Sequence, residues 1–169
     1  MSIFNDKTIW ENRRELFKLC VEDIERDQIQ PCSVDLKLDK TLKTIKGESI
    51  DISKKPYLLQ PHEFILGSTK EYVKIPRDIV GRVEGRSSVG RLGLMVHVTA
   101  GFIDPGFNGN ITLELYNVSD QPFKLKYNDR LCQIVFETLD RPTGHPYNGK
   151  YQFDEGVVTS KGVGYVDSL

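Results

Sequence analysis

Asn108-Gly109-Asn110-Ile111-Thr112-Leu113-Glu114-Leu115-Tyr116-Asn117 is the stretch on which the fold turns. From Ile111 apolar and polar residues alternate one by one, the period of a half-buried strand whose successive side chains point to opposite faces. Ile111, Leu113 and Leu115 then form the core face, and Thr112, Glu114 and Tyr116 the other. Asn108-Gly109 reads as a tight turn, because both residues tolerate positive φ. A carboxylate between a threonine and a tyrosine is ordinarily solvated. If that face lines a pocket, Glu114 becomes a candidate general base.

Outward from this strand, short β-rich runs recur at Ser33–Leu38, Phe64–Ser68, Tyr72–Ile75, Ile79–Glu84, Leu94–Thr99, Phe123–Lys126 and Arg130–Glu137. Turn residues separate them, among them Asp104-Pro105-Gly106 and Tyr127-Asn128-Asp129. Many short strands at this spacing predict a mainly β sandwich, jelly roll or barrel. Before Ile29 the pattern is helical. Thr8 and Glu11 have capping-box spacing, and Ile9, Leu16, Phe17 and Leu19 can share one apolar side, with an end between Leu19 and Asp23. The 169 residues are expected to form one domain: a helical segment 1–27, a β core 28–140 and a tail 141–169. The tail is rich in Pro and Gly, yet it carries Tyr147, Lys150, Tyr151 and Phe153, more than a frayed end needs. It is read as a lid that orders over a ligand.

Composition narrows the function. A formal net charge of −1 argues against a nucleic-acid footprint, so an anionic ligand must be met by a local positive cluster. Cys20, Cys32 and Cys132 are odd in number and widely spaced, which suits small buried thiols in a reducing compartment. There is no secretory leader pattern and no apolar run of membrane-spanning length, so the expected location is the cytoplasm. A zinc deaminase needs a closely spaced Cys pair with a His or Cys and a Glu, but Cys32 has no near partner and His62, His97 and His145 lack ligand spacing. Phosphate-loop, dinucleotide and nucleophile-elbow motifs are also missing. Chemistry must come from carboxylates, hydroxyls, arginines and bound water.

Gly85-Arg86-Ser87-Ser88-Val89-Gly90-Arg91-Leu92-Gly93 supplies such a cluster. Two arginines flank two hydroxyls, and arginine offers a planar, permanently charged fork to phosphate. The same residues also suit a solvated turn, and on this segment alone both readings stay open.

Gly85–Gly93 followed by His97–Asn117 resembles the signature region of dCTP deaminases and, more distantly, of trimeric dUTPases. Gln28-Ile29-Gln30-Pro31-Cys32-Ser33-Val34-Asp35-Leu36 resembles that family's N-terminal segment. Pro146-Tyr147-Asn148 and Gly149-Lys150-Tyr151 resemble its nucleotide-closing segment. The resemblance implies a distorted jelly roll or β-barrel of the dUTPase type, assembled as a homotrimer with active sites between subunits. It places Arg86, Ser87, Ser88 and Arg91 around the phosphates and reacting centre, with Thr99, Ala100 and Thr112 as further substrate contacts. Asp104 would accept from the deoxyribose 3′-hydroxyl, and Glu114 would be the base of deamination. Tyr147 and Lys150 would close over the nucleotide. Asp154 stands where the family usually has a Gln, and a carboxylate there would repel phosphate. The implied partners are dCTP, dUTP and, as an inhibitor, dTTP, with Mg²⁺ carried by the triphosphate and no zinc. A small residue at Gly101, where deaminase-only bacterial enzymes often carry a His, favours a bifunctional enzyme that also cleaves dUTP to dUMP and pyrophosphate. Deaminase-only, dUTPase-only and catalytically silent nucleotide-binding forms are the alternatives.

Overall fold

The alternation at 108–117 becomes a strand in which every second residue is buried, and it is the spine of one of two sheets. The structure, a computed structural model, describes residues 2–17 and 24–162. Its elements are helix α1 (Asp6–Leu16), strands β1 (Ile29–Gln30), β2 (Ser33–Lys37), β3 (Thr41–Lys43), β4 (Ser49–Asp51), β5 (Tyr57–Leu59), β6 (Phe64–Lys74) and β7 (Ile79–Gly85). The one-turn helix α2 (Ser87–Gly90) follows, then β8 (Leu94–Met95), β9 (Phe102–Ile103), β10 (Asn108–Asn117), β11 (Phe123–Leu125) and β12 (Arg130–Thr138). One five-stranded sheet runs β1-β2-β12-β7-β9, the other β4-β3-β6-β10-β8, and β11-β5 form a small third sheet. Pairings between strands are antiparallel, and the Leu38↔Thr69 bridge joins the two large sheets. Inner-face residues of both, including Leu36, Ile134 and Phe136 from one and Leu42, Leu113 and Leu115 from the other, form a single core. This is the expected mainly β jelly roll.

Four local expectations change. The helix starts one turn earlier, at an Asn5 cap whose Oδ1 accepts from the Thr8 N–H at 2.9 Å, so Thr8 is inside the helix rather than at its cap. It ends at Leu16, with Ile9, Leu16 and Phe17 buried as expected, while Leu19 and Cys20 lie outside the described residues. Phe64–Ser68 and Tyr72–Ile75 merge into one strand with a bulge between them. Asn110 fills that bulge, its amide donating to the carbonyls of Thr69, Lys70 and Glu71 at 3.0–3.2 Å. Asn108-Gly109 is strand, not turn. The turn is made by Gly106 at φ 94°, and Gly109 is needed because a Cβ there would meet the Asp154 carbonyl at 3.0 Å. Cys132 is buried as expected, but Cys32 is exposed, since Pro31-Cys32 form the turn between β1 and β2.

Phe136 anchors the helix to the core: it is fully buried and meets Phe17 edge-on, centroids 5.8 Å apart. Phe136→Ala is expected to lower stability by about 3–5 kcal/mol, read as a fall in the urea midpoint, because the rigid sheets cannot close the cavity. A loss under about 1 kcal/mol would show that the ring is not a core element.

Glu71 is a buried carboxylate on β6. Its oxygens accept from Gln28 Nε2 at 2.8 Å and from the Lys37 N–H at 2.9 Å. Burial pushes its carboxyl up from the ordinary range, and the Lys37 N–H pulls it part of the way back. The native state therefore binds this proton more tightly than the unfolded chain, so this group's contribution to stability falls as pH rises above the ordinary carboxylate pKa. Glu71→Gln, which cannot titrate, is expected to be less stable than the parent because its amide nitrogen replaces one of the two accepting oxygens and leaves one donor unpaired. Its deficit should narrow from about pH 4 to about pH 7 in urea titrations. A deficit that grows over that range would contradict the assignment.

Candidate active site

The outward face of β10 forms the floor of a cavity of about 420 Å³. Ala100, Asp104, Thr112, Glu114, Tyr147 and Asp154 all line it, six of the residues singled out from the sequence. The period-2 rule puts Thr112 and Glu114 on that face. Asp104 is held at the bend by the Phe107 N–H, which donates to its carbonyl at 3.1 Å, and its side chain is exposed.

Glu114 is the most constrained of the six. Its Oε2 accepts from the Val98 N–H at 2.7 Å and from the Thr99 N–H at 3.3 Å. This explains why the expected strand Leu94–Thr99 stops at Met95: beyond it the backbone turns its N–H groups onto the carboxylate. Among the described residues nothing hydrogen-bonds the other oxygen, Oε1, so one oxygen is fixed and the other can face a ligand. Thr99 thus touches the site through its backbone rather than by lining the cavity. At Gly101 a Cβ would lie 3.0 Å from the His97 ring and from the Val83 carbonyl, so the space there is already taken by His97.

The tail folds back over this cavity. Phe153 N–H donates to the Asn108 carbonyl at 2.7 Å, Asn110 N–H to the Asp154 carbonyl at 3.0 Å, and Gly156 N–H to Asn110 Oδ1 at 2.9 Å. These bonds satisfy the edge of β10 that β6 leaves open. Tyr147 stacks edge-on against Phe107, centroids 5.7 Å apart. Gln152 holds the crossing by accepting from Asn108 N–H at 2.9 Å and donating to the Gly106 carbonyl at 2.8 Å. Asp154 is not bare: Lys161 Nζ lies 2.5 and 2.6 Å from its two oxygens. Lys150 is exposed, its ammonium 5.6 Å from the Tyr151 ring centroid.

The Ser-Arg segment is elsewhere in the chain. Ser87, Ser88 and Arg91 are exposed on and just after α2, with Val89 as the buried anchor, and none lines the cavity. Arg86 is half committed inside: its Nε lies 3.3 Å from Asp35 Oδ1 and its Nη1 donates to the Arg130 carbonyl at 3.1 Å. Asp35 is 1% exposed, and burial pushes its carboxyl up while the Arg86 guanidinium opposes the shift. Sequence reasoning gave Asp35 no role. The available signal was a charge inside Ser33–Lys37, a strand too apolar to leave one unpaired. Gln152 and Lys161 carried no comparable signal, because their partners lie across a chain reversal.

Among the described residues, no group of three or more His, Cys, Asp or Glu side chains could hold a metal ion.

The same fold is found in a solved 2′-deoxycytidine 5′-triphosphate deaminase from Agrobacterium tumefaciens. The TM-score is 0.69 and the identity 23%, over 80% of this chain and 48% of that one. The dUTPase of Staphylococcus bacteriophage 80alpha shares it at TM-score 0.52 and 18% identity, over 79% of this chain and 94% of that one. The chain thus has the mainly β fold that these two solved proteins share. The model of the dCTP deaminase-like family matches residues 3–139, and the chain belongs to that family. Among its relatives, the protein named dCTP deaminase, dUMP-forming, of Methanobrevibacter smithii is 43% identical over 89% of this chain and 90% of its own length. The protein of the same name in Methanothermobacter thermautotrophicus is 46% identical over 75% of each.

Proposed function

We propose that the protein deaminates dCTP and hydrolyses the resulting dUTP to dUMP and pyrophosphate, as a homotrimer in which neighbouring subunits complete each site. The observation that carries this is the Glu114 carboxylate, fixed by two backbone N–H groups in a cavity that also holds Ala100, Asp104, Thr112 and Tyr147. The names of relatives that match most of the chain support the pair of activities.

In deamination, the free oxygen of Glu114 takes a proton from water as the water oxygen bonds to C4 of cytosine. That proton passes to the 4-amino nitrogen, the C4–N bond breaks and ammonia leaves, while the remaining hydroxyl proton at C4 moves to N3, giving the carbonyl and N3–H of uracil. Ser87 and Arg91 of an adjacent subunit, with the Ala100 backbone, stabilise the tetrahedral centre. Arg86 and Ser88 hold phosphates, Thr99 and Thr112 contact the substrate, and Asp104 accepts from the 3′-hydroxyl. Tyr147 and Lys150 close over the sugar and phosphates. Mg²⁺ carried by the triphosphate would supply charge neutralisation there. In the second step, water oriented beside Asp104 bonds to the α-phosphorus and pyrophosphate leaves. This double role is supported by the names of the relatives and not by room at Gly101, where His97 already occupies the space a side chain would take. Such an enzyme works in the cytoplasm, and dTTP, sharing the sugar and phosphates, should inhibit it. Among the described residues, no helix is long and apolar enough to cross a membrane.

Incubation with dCTP and with dUTP, each with Mg²⁺, and resolution of the products tests the reading. Ammonia, dUMP and pyrophosphate in equal amounts are expected from dCTP, with little free dUTP. Accumulating dUTP would reduce the activity to deamination, and unchanged dCTP would overturn the deaminase assignment.

A further inference from the structure

Asp154 stands in the wall of the cavity with its side chain only 17% exposed, in a site that must admit a polyanion. Unpaired, it would face the triphosphate across a partly desolvated space, where like charges repel most strongly. Lys161, seven residues on, answers it. Its ammonium lies 2.5 and 2.6 Å from the two carboxylate oxygens and donates to the Lys150 carbonyl at 3.1 Å, so three acceptors occupy its three N–H bonds. The Lys161 backbone N–H donates to Tyr151 Oη at 3.1 Å, which brings residues 158–160 onto the cavity rim. Lys150, by contrast, is exposed and has no carboxylate partner among the described residues, and its ammonium lies 5.6 Å from the ring centroid of Tyr151, which lines the cavity.

We propose that Lys161 is a positioning residue of this pocket. It cancels the Asp154 carboxylate so that a nucleoside triphosphate can enter, and leaves Lys150 as the cation that meets the phosphates. The inference rests on the nucleotide reading above and goes beyond it, because it assigns the tolerance of Asp154 to one named partner. Lys161 acts through Asp154 and does not touch the reacting atoms. The effect must therefore fall on nucleotide binding and be equal for dCTP and dUTP, which share their phosphates.

Steady-state kinetics of the full chain with each nucleotide and Mg²⁺ provide the test. Lys161→Met is expected to raise KM for both nucleotides about tenfold, with kcat changed less than about twofold. Adding Asp154→Asn to Lys161→Met should bring KM back to within about threefold of the parent value, and Lys161→Arg should keep it there. A merely structural tie would give the opposite result, since the double variant lacks the ion pair as much as the single one does. An unchanged KM in Lys161→Met, or a KM that stays raised in the double variant, overturns the proposal. If the parent protein turns over neither nucleotide, the functional reading itself fails. Turnover with the wrong KM pattern overturns only the role of Lys161.

Discussion

Glu114→Gln is expected to abolish ammonia release from dCTP while leaving nucleotide binding within a few-fold of the parent. The substitution keeps the side chain's size, and the amide oxygen can still accept from the Val98 and Thr99 N–H groups that hold the carboxylate. The loop 96–99 therefore stays in place. In the proposed mechanism, what is lost is the ability to take a proton from water and hand it to the leaving nitrogen. A positioned acid–base group contributes about 10²–10⁴-fold, and at least that loss in kcat for deamination is predicted. Binding can be followed with dUTP by calorimetry, which separates a lost base from a collapsed pocket. Deamination above about a tenth of the parent rate would remove Glu114 from the base role.

Arg91→Ala should be nearly as damaging, although in its own chain Arg91 is exposed and lines no part of the cavity. Among the described residues nothing hydrogen-bonds or ion-pairs with its side chain, so the thermal midpoint should move little. If a neighbouring subunit's Arg91 reaches the reacting centre, its removal withdraws a preorganised donor, a loss of about 10²–10³ in kcat. A variant that folds, assembles and turns over dCTP normally would place Arg91 among the solvated surface arginines. That was the other reading its sequence context allowed.

How far the sequence reached depends on the range of the interaction. The alternation in β10 is local, and it correctly predicted both the core face and the Glu114 face. Asn108-Gly109 misled because its glycine answers a distant neighbour, the Asp154 backbone, rather than a local turn. The bulge filled by Asn110 was invisible for the same reason, since its partners at Thr69 to Glu71 lie about forty residues away. Arg86 was legible as a cation but not as the partner of the buried Asp35. Thr41–Lys43 and Ser49–Asp51 were missed as strands because each is only three residues long, too short to establish a period, even though Leu42 is buried in the core. The tail's aromatic residues pointed to a lid, and Tyr147 and Tyr151 do line the cavity, but the pairing of Asp154 with Lys161 had no local sign.

Subunit complementation tests the shared site most directly. Glu114→Gln and Arg91→Ala chains, each inactive alone, are unfolded together in equal amounts, refolded and assayed for ammonia from dCTP. If each site joins Glu114 of one subunit to Arg91 of its neighbour, random mixing in a closed ring rebuilds about one quarter of the sites, and activity should return to about that fraction of the parent. Mixed assemblies that remain as inactive as either variant alone would contradict an active site built between chains.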